Sequence, residues 1–144
     1  MASNILRYYK MNKIKKYKIK NHINKSGKLV PLTFNKEFPI KMRRIFFIYG
    51  KKNKLRGDHA HKKCSQLFIP IVGKILLEIK TIKIKKKIML NNSSKFGILV
   101  PPGYWCKVKF FNNNSILMVG CDKYYDPKDY INSFKTYKKL FKQK

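Results

Sequence analysis

Two histidines carry the most evident chemistry in this sequence, because His59 and His61 stand two residues apart in the stretch RGDHAH of residues 56–61. Side chains alternate between the two faces of a β-strand, so both imidazoles would point the same way, with Cβ atoms roughly 6–7 Å apart. That separation suits two groups that bracket a small substrate, or two ligands of one metal ion. A pair of histidines on a solvated strand face is the alternative without a function.

The elements that must position this pair are short strands. Gly57 turns into the histidine strand, and residues 66–73 (QLFIPIVG) predict a second strand that ends in a turn. Residues 44–49 are rich in the β-branched and aromatic side chains that strands favour. Over residues 74–85, apolar and basic residues alternate, which is typical of a sheet with one buried and one wet face. The hairpin turn in this stretch falls either near residues 80–81 or at residues 85–87.

Further strand patterns and one helical pattern complete the chain. Strands are predicted at residues 13–20 (a basic edge strand), 29–34, 99–100, 104–111 and 115–120. The tail from Asp129 has aromatic residues at helical spacing and ends in lysine, which favours a C-terminal helix. Many short strands followed by one late helix predict an all-β fold, a closed or sandwiched antiparallel barrel with a short C-terminal helix.

Length and composition frame this interpretation. A chain of 144 residues with 44% apolar residues suits a single domain with a hydrophobic core, with residues 1–10 as an extension. No apolar run approaches the roughly 18 residues of a membrane span, and the N-terminus lacks a signal-peptide pattern. We therefore expect no membrane partner. We also expect the three cysteines (Cys64, Cys106 and Cys121) to be reduced thiols of a cytoplasmic protein.

The charge of the chain is strongly positive, with 35 basic and 6 acidic residues and a formal net charge of +29. Such a balance is typical of proteins that bind nucleic acid or phosphorylated ligands. The lysines are dispersed along the whole chain, however, and asparagine and isoleucine are abundant as well, as AT-rich codons would produce. We therefore expect no nucleic-acid partner, and a noncatalytic basic barrel that binds nucleic acid remains an alternative hypothesis.

The histidine stretch resembles the first motif of the cupin superfamily, with Gln66 and Gly73 at the spacing of that motif. Gly97, the Pro101-x-Gly103 turn and Cys106 resemble the second motif. Metal-binding cupins carry Glu where this chain has Gln66 and His where it has Cys106. Two imidazoles, an amide and a thiol make a poor site for hard divalent ions, so no metal is expected. Zinc held by His59, His61 and Cys106 remains the alternative.

A closer resemblance covers residues 24–137, to the sugar-nucleotide 3,4-ketoisomerases. The matching motifs are RGxHAHK at residues 56–62, Gln66, Gly73, Trp105, and YDxxDYI at residues 125–131. These cupin enzymes act on dTDP-4-keto-6-deoxyglucose, typically as dimers. The resemblance implies a cupin-type jelly roll, a homodimer, a dTDP-linked 4-keto-6-deoxy sugar as substrate, and a role in deoxyamino-sugar synthesis. It also implies that His59 and His61 transfer the protons and that no cofactor takes part.

The chemistry of such a shift agrees with the residue types. Moving a carbonyl from C4 to C3 requires removal of the hydrogen at C3, an enediol, and protonation at C4. Imidazole, with a reference pKa of about 6.5, can exchange protons with carbon and with oxygen near neutral pH. We assign the carbon transfers to His59 and the oxygens to His61. The candidate substrate contacts are Arg56, Gln66, Trp105, Tyr49, Cys106 and Tyr130; Trp105 stacks on a base or sugar, or belongs to the core.

Some positions depart from the ketoisomerase pattern. Two tyrosines that usually follow the arginine of the preceding strand are Phe46 and Phe47 here, with Tyr49 nearby. Tyr124, Tyr125 and Tyr130 are expected at the barrel mouth or the dimer contact, with core packing for at least one of them. A related sugar-nucleotide 3,5-epimerase, which uses similar enolisation but commonly pairs His with Asp and Tyr, is the alternative enzyme.

Overall fold

The computed structural model describes residues 12–142, and within this range the chain forms twelve strands and one α-helix. In chain order the strands are β1 (Lys15–Lys18), β2 (His22–Asn24), β3 (Gly27–Leu29), β4 (Arg44–Gly50), β5 (Leu55–His61), β6 (Gln66–Val72), β7 (Lys74–Lys80), β8 (Lys85–Asn91), β9 (Phe96–Val100), β10 (Trp105–Phe110), β11 (Ser115–Cys121) and β12 (Tyr130–Ile131). The helix α1 spans Phe134–Phe141. The predicted extension over residues 1–10 lies outside the described residues.

Two five-stranded antiparallel sheets face each other and make the barrel. The first has the order β1-β9-β6-β11-β4, and the second has the order β12-β5-β10-β7-β8. The strands β2 and β3 form a separate two-stranded hairpin. This arrangement confirms the predicted all-β fold, an antiparallel barrel followed by a short helix.

The core between the sheets follows from the alternation in the sequence. In β7, Ile75, Leu77 and Ile79 are fully buried, while Leu76 and Glu78 between them and Lys74 and Lys80 at the ends stay at least partly accessible. The strand β8 returns antiparallel to β7 after a turn in which the Thr81 hydroxyl accepts hydrogen bonds from the amides of Lys83 and Ile84. The hairpin turn near residues 80–81 is therefore the correct one of the two predicted positions.

The helix α1 covers the outer side of the second sheet. Ser133 caps its N-terminus by accepting a hydrogen bond from the amide of Thr136. Tyr137 lies on the buried face of this helix, and its hydroxyl donates a hydrogen bond to the carbonyl of Gly103 at 2.7 Å. The prediction of a helix from Asp129 is wrong in its start, because Tyr130 pairs with His61 in a strand before the chain turns into α1.

The N-terminal part covers the outer side of the first sheet. Ile19 and Phe38 are buried there against Leu67, Ile69 and Met118. The predicted edge strand at residues 13–20 is present as β1, which lies at the end of the first sheet. The predicted strand at residues 29–34 is wrong beyond Leu29, where the chain leaves the hairpin and crosses the sheet without pairing. Within residues 12–142, no helix is long and apolar enough to cross a membrane.

Candidate active site

A cavity of about 200 Å³ opens between the two sheets and contains most of the polar residues that the sequence singles out. Its polar lining consists of Arg56, His59, Gln66, Cys106 and Tyr130. Apolar residues from both sheets complete the wall, namely Phe46, Phe47, Ile48, Phe68, Val108 and Val119. A larger apolar groove of about 330 Å³ lies between the β7–β8 turn and α1, but it has no histidine or carboxylate in its lining. The chemistry therefore points to the smaller cavity.

His59 is placed by an irregularity in its own strand. Gly57 and Asp58 adopt positive φ angles of +84° and +67°, and the register between β5 and β10 shifts at this point. A side chain at Gly57 would approach the carbonyl of Cys106 to 3.3 Å, so the position favours glycine. Asp58 is held by the Trp105 indole, whose Nε1 donates to its carboxylate at 2.8 Å. This bulge fixes where His59 enters the cavity wall.

The surroundings of His59 favour its neutral form. Burial, reinforced by the neighbouring His61, lowers the pKa of His59 below its ordinary value, against smaller opposing contributions from Gly57 and Asp58. A lowered pKa keeps the imidazole unprotonated at neutral pH, and an unprotonated imidazole can accept a proton from carbon. His59 lines the cavity directly, so it meets the first geometric requirement of a general base.

His61 is buried beside His59, and its ring centroid lies 5.1 Å from that of its neighbour. Its Nδ1 lies 2.9 Å from Oδ2 of Asp129, which makes a histidine–carboxylate pair. Because the carboxylate can only accept, the proton of neutral His61 resides on Nδ1, and Nε2 keeps a free lone pair. That Nε2 is buried and has no hydrogen-bond partner among the described residues. The pair thus presents one oriented nitrogen that can exchange a proton.

Asp129 is held in its ionised form. Its carboxylate also accepts hydrogen bonds from the amides of Lys63 at 2.7 Å and Cys64 at 3.3 Å. Burial alone would raise the pKa of Asp129, but the contacts with His61, Lys63 and Cys64 lower it below its ordinary value. Asp129 was not among the site residues predicted from the sequence, although it lies in the YDxxDYI motif, because no spacing rule pairs it with a histidine 68 residues away.

Tyr130 completes the group around the histidines. Its ring centroid lies 4.9 Å from that of His59 and 4.4 Å from that of His61. Arg44, at the start of β4, hydrogen-bonds both the Tyr130 side chain and the Cys121 sulfur. These contacts raise the pKa of Arg44, although burial alone would lower it. Arg44 and Cys121 were also missed from the sequence, because neither lies in the motifs around the histidines.

Two of the predicted substrate contacts lie away from the cavity. Trp105 is buried outside the barrel, edge-on to Phe134 and Tyr137 of α1. It therefore has the core position that we gave as its alternative, and stacking on a base or sugar does not fit this location. Tyr49 is 73% exposed on the outer face of β4.

The neighbouring tyrosines also differ from expectation. Tyr124 and Tyr125 are exposed, and Tyr130 lines the cavity. The predicted core packing of at least one of these three tyrosines is therefore wrong. In the sequence, the spacing of Tyr130 with Phe134, Tyr137 and Phe141 suggested a continuous helix, but Tyr130 lies in the strand β12 and lines the cavity instead.

A metal ion would have few free ligands here. Within residues 12–142, the group of ligand-type side chains whose donor atoms lie within 4.8 Å of one another is His61, Cys64 and Asp129, and it does not include His59 or Cys106. The Asp129 carboxylate already accepts from His61 and from two backbone amides. We therefore interpret Asp129 as the group that orients His61, and the alternative of zinc held by His59, His61 and Cys106 has no support in these distances.

Comparisons with known proteins agree with this geometry. A family model described as "FdtA: WxcM-like, C-terminal" matches residues 10–142. The TDP-4-oxo-6-deoxy-alpha-D-glucose-3,4-oxoisomerase of Aneurinibacillus thermoaerophilus is 32% identical over 121 residues, which span 83% of this chain and 86% of that protein.

Solved structures of 3,4-ketoisomerases are also similar to this chain. QdtA, a sugar 3,4-ketoisomerase from Thermoanaerobacterium thermosaccharolyticum in complex with TDP, superposes with a TM-score of 0.84 at 29% identity, over 90% of this chain and 95% of that one. WlaRA, a TDP-fucose-3,4-ketoisomerase from Campylobacter jejuni, gives a TM-score of 0.79 at 31% identity, over 90% and 96%. By contrast, the RmlC epimerase of Mycobacterium tuberculosis is 16% identical with a TM-score of 0.70, over 81% and 66%, a likeness of fold alone.

Proposed function

Since the chain belongs to the FdtA family of WxcM-like C-terminal domains, we propose that it moves the keto group of TDP-4-keto-6-deoxyglucose from C4 to C3. The observation that carries this proposal is the arrangement in the cavity: a neutral His59 in the wall and, beside it, a His61 oriented by Asp129. Two imidazoles at this separation supply the two kinds of proton transfer that the shift requires.

The reaction would begin at C3, whose hydrogen is acidified by the neighbouring C4 carbonyl. His59 accepts this proton, and the electron pair of the C3–H bond moves into the C3–C4 bond to give an enediolate. His61 takes the proton of the C3 hydroxyl and gives it to the C4 oxygen, His59 returns its proton to C4, and the carbonyl forms at C3. Atoms and charge balance over the cycle without a redox partner.

The protons on the oxygens would be exchanged by His61, which lies beside His59 on the same strand. His61 exchanges the hydroxyl proton through Nε2, while its Nδ1–H donates to the ionised Asp129. The developing imidazolium is stabilised by that carboxylate. Arg56 and Gln66 supply donors that stabilise charge on the enediolate. Cys106, which pairs with His59 across β10 and β5, contributes to the same wall. The positive charge of the chain would favour binding of the negatively charged diphosphate of the substrate.

The test of this function is incubation with TDP-4-keto-6-deoxyglucose and identification of the product by NMR. We expect a TDP-3-keto-6-deoxy sugar. A product that keeps the keto group at C4 and is inverted at C3 or C5 would establish the epimerase instead. No reaction, combined with sub-micromolar oligonucleotide binding at physiological salt, would favour the nucleic-acid hypothesis. The 3-keto group is the electrophile that amino transfer requires, so we place the product in deoxyamino-sugar synthesis for surface glycans.

We further propose that two copies of the chain associate through the outer face of β4. This strand is the edge of the first sheet, and its outward residues Ile45, Phe47 and Tyr49 are 41%, 50% and 73% exposed. Exposed Val72 of β6 extends the same face, since Val72 pairs with Ile116 and Ile116 pairs with Tyr49. An apolar face on an edge strand is a typical surface for a second copy.

This association predicts that Ile45→Glu shifts the protein from dimer to monomer, because a carboxylate would be buried in an apolar contact. Sedimentation velocity at micromolar concentration measures the shift. Ile84→Glu is the matched control, since Ile84 is 56% exposed in the β7–β8 turn, far from this face in the sheet order. A wild-type monomer, or a dimer that Ile45→Glu leaves intact, would contradict the proposed interface.

A further inference from the structure

Two hydrogen-bond donors converge on the buried sulfur of Cys121, at the end of β11. Arg44 approaches it with Nη2 at 3.6 Å, and Gln66 with Nε2 at 3.9 Å. The thiol of neighbouring Cys64 donates to the carbonyl of Ser65 at 3.3 Å. A neutral thiol is a weak acceptor, whereas a thiolate accepts several such bonds. The surroundings of Cys121 therefore match an ionised sulfur better than a neutral one.

The charge of Arg44 leads to the same conclusion. Among residues 12–142, no carboxylate forms a salt bridge with its guanidinium, and its Nε is buried without a hydrogen-bond partner. A partly buried cation without a counter-ion is unfavourable. An ionised Cys121 would supply that counter-ion.

The three cysteines differ in the direction in which their surroundings shift the thiol pKa. The proximity of Cys64, with the hydrogen bonds from Arg44 and Gln66, lowers the pKa of Cys121 to about 6 in spite of burial. The contact with Cys121 and burial raise the pKa of Cys64, and the charges of Asp122 and Asp129 add to this. Burial raises the pKa of Cys106 to about 12. At neutral pH the described cysteines should therefore include a single thiolate.

Arg44 connects this sulfur to the cavity. The guanidinium only donates, so the Tyr130 oxygen must be the acceptor in the bond between them. The hydroxyl hydrogen of Tyr130 then points away from Arg44 and remains available to another acceptor. Arg44 is held further by ring contacts, with its Cζ 5.2 Å from the Phe46 centroid and 5.3 Å from that of Tyr125.

We propose that Cys121, as a thiolate, is a positioning residue that anchors Arg44, and that Arg44 in turn holds the Tyr130 hydroxyl where it donates to an oxygen of the bound sugar. The second half of this proposal rests on the proposed ketoisomerase function. Tyr130 touches both histidine rings, so a phenol fixed here would face the same reacting oxygens as His61.

The thiolate is tested first, without any substrate. Thiolate ultraviolet absorbance is followed against pH in the wild-type protein and in Cys121→Ser. We expect one thiolate that titrates near pH 6 in the wild type and is missing from Cys121→Ser. Cys106→Ser is the matched control, another buried cysteine whose replacement should leave the titration unchanged. Equal absorbance of wild type and Cys121→Ser at neutral pH would overturn the proposal.

The positioning role is tested by kinetics in a double-mutant cycle. Cys121→Ser should lower kcat by up to about 10²-fold, the scale of a misplaced active-site group, with little change in KM. Tyr130→Phe should cost at least as much, and adding Cys121→Ser to it should cost little more. Equal losses from Cys121→Ser with and without Tyr130 would overturn the connection. If the Cys121→Ser protein misfolds, Cys121→Ala takes its place in the double-mutant cycle.

These two tests separate the inference from the function on which it rests. If the protein moves no keto group, the proposed function fails, and the role assigned to the Tyr130 hydroxyl fails with it. The absorbance titration does not depend on turnover, so it still decides whether Cys121 is the counter-ion of Arg44.

Discussion

Replacement of His59 or His61 by asparagine is expected to lower turnover by about 10²–10⁴-fold while the protein stays folded, because each removes a proton-transfer group. Asparagine keeps polarity and approximate size but cannot exchange protons near neutral pH. His59 lines the cavity, and His61 adjoins it with an oriented Nε2. Turnover of TDP-4-keto-6-deoxyglucose by each purified variant measures the effect, with circular dichroism to verify folding.

The third described histidine supplies the control. His22 is exposed on β2, in the hairpin that is separate from both sheets, so His22→Asn should keep wild-type turnover. The double variant of His59 and His61 should lose little more than the worse single variant, since groups that act as a unit lose activity non-additively. Normal turnover in both single variants would show that the pair is structural and would end the mechanism proposed here.

Replacement of Asp129 by asparagine is expected to reduce turnover by a similar factor, about 10²–10⁴-fold, although Asp129 is not in the cavity lining. The amide nitrogen of asparagine can donate to Nδ1 of His61, which would move the histidine proton to Nε2 and remove its free lone pair. The amide of Lys63 can still donate to the remaining amide oxygen, whereas the amide of Cys64 faces the same atom as His61 and loses its acceptor. The loss should therefore appear in kcat rather than in KM.

The same variant has a stability effect with a defined dependence on pH. The pKa of Asp129 is lower in the folded protein, so its contribution is present above the unfolded value and is lost as the pH falls through the folded value. Asp129→Asn should therefore destabilise the protein at neutral pH and match the wild type in acid. Asp122→Asn is a suitable control, because Asp122 accepts from the Ser65 amide but does not contact a histidine. Equal activity of Asp129→Asn and wild type would contradict the role of the histidine–carboxylate pair.

The sequence was most informative where chemistry is local. Alternation in β7 and β8 predicted the hairpin, and the spacing of His59 and His61 predicted one shared surface, which their ring separation of 5.1 Å supports. The motif order predicted the family and its isomerase class, and the comparisons confirm both. Arg56, Gln66, Cys106 and Tyr130 also reach the cavity, and their roles there remain predictions.

The remainder depends on contacts between distant segments. Asp129 meets His61 because a short 3-10 turn at Pro127–Asp129, capped by Asp126, returns the chain to the end of β5. Arg44 meets Cys121 only through the pairing of β4 with β11. Trp105 looked like a substrate platform, but α1 covers its side of the sheet. No periodicity in the sequence specifies these side-chain contacts, because they depend on which strands become neighbours in the fold.

The most direct test of the proposed proton transfers is turnover of TDP-4-keto-6-deoxyglucose in deuterium oxide, with the label located by NMR. We expect a 3-keto product that carries deuterium at C4, and no exchange of the C3 hydrogen of the substrate by the His59→Asn protein. Exchange at C3 by His59→Asn at the wild-type rate would contradict the assignment of the carbon transfers to His59. Deuterium at C5 with the keto group still at C4 would contradict the keto shift itself.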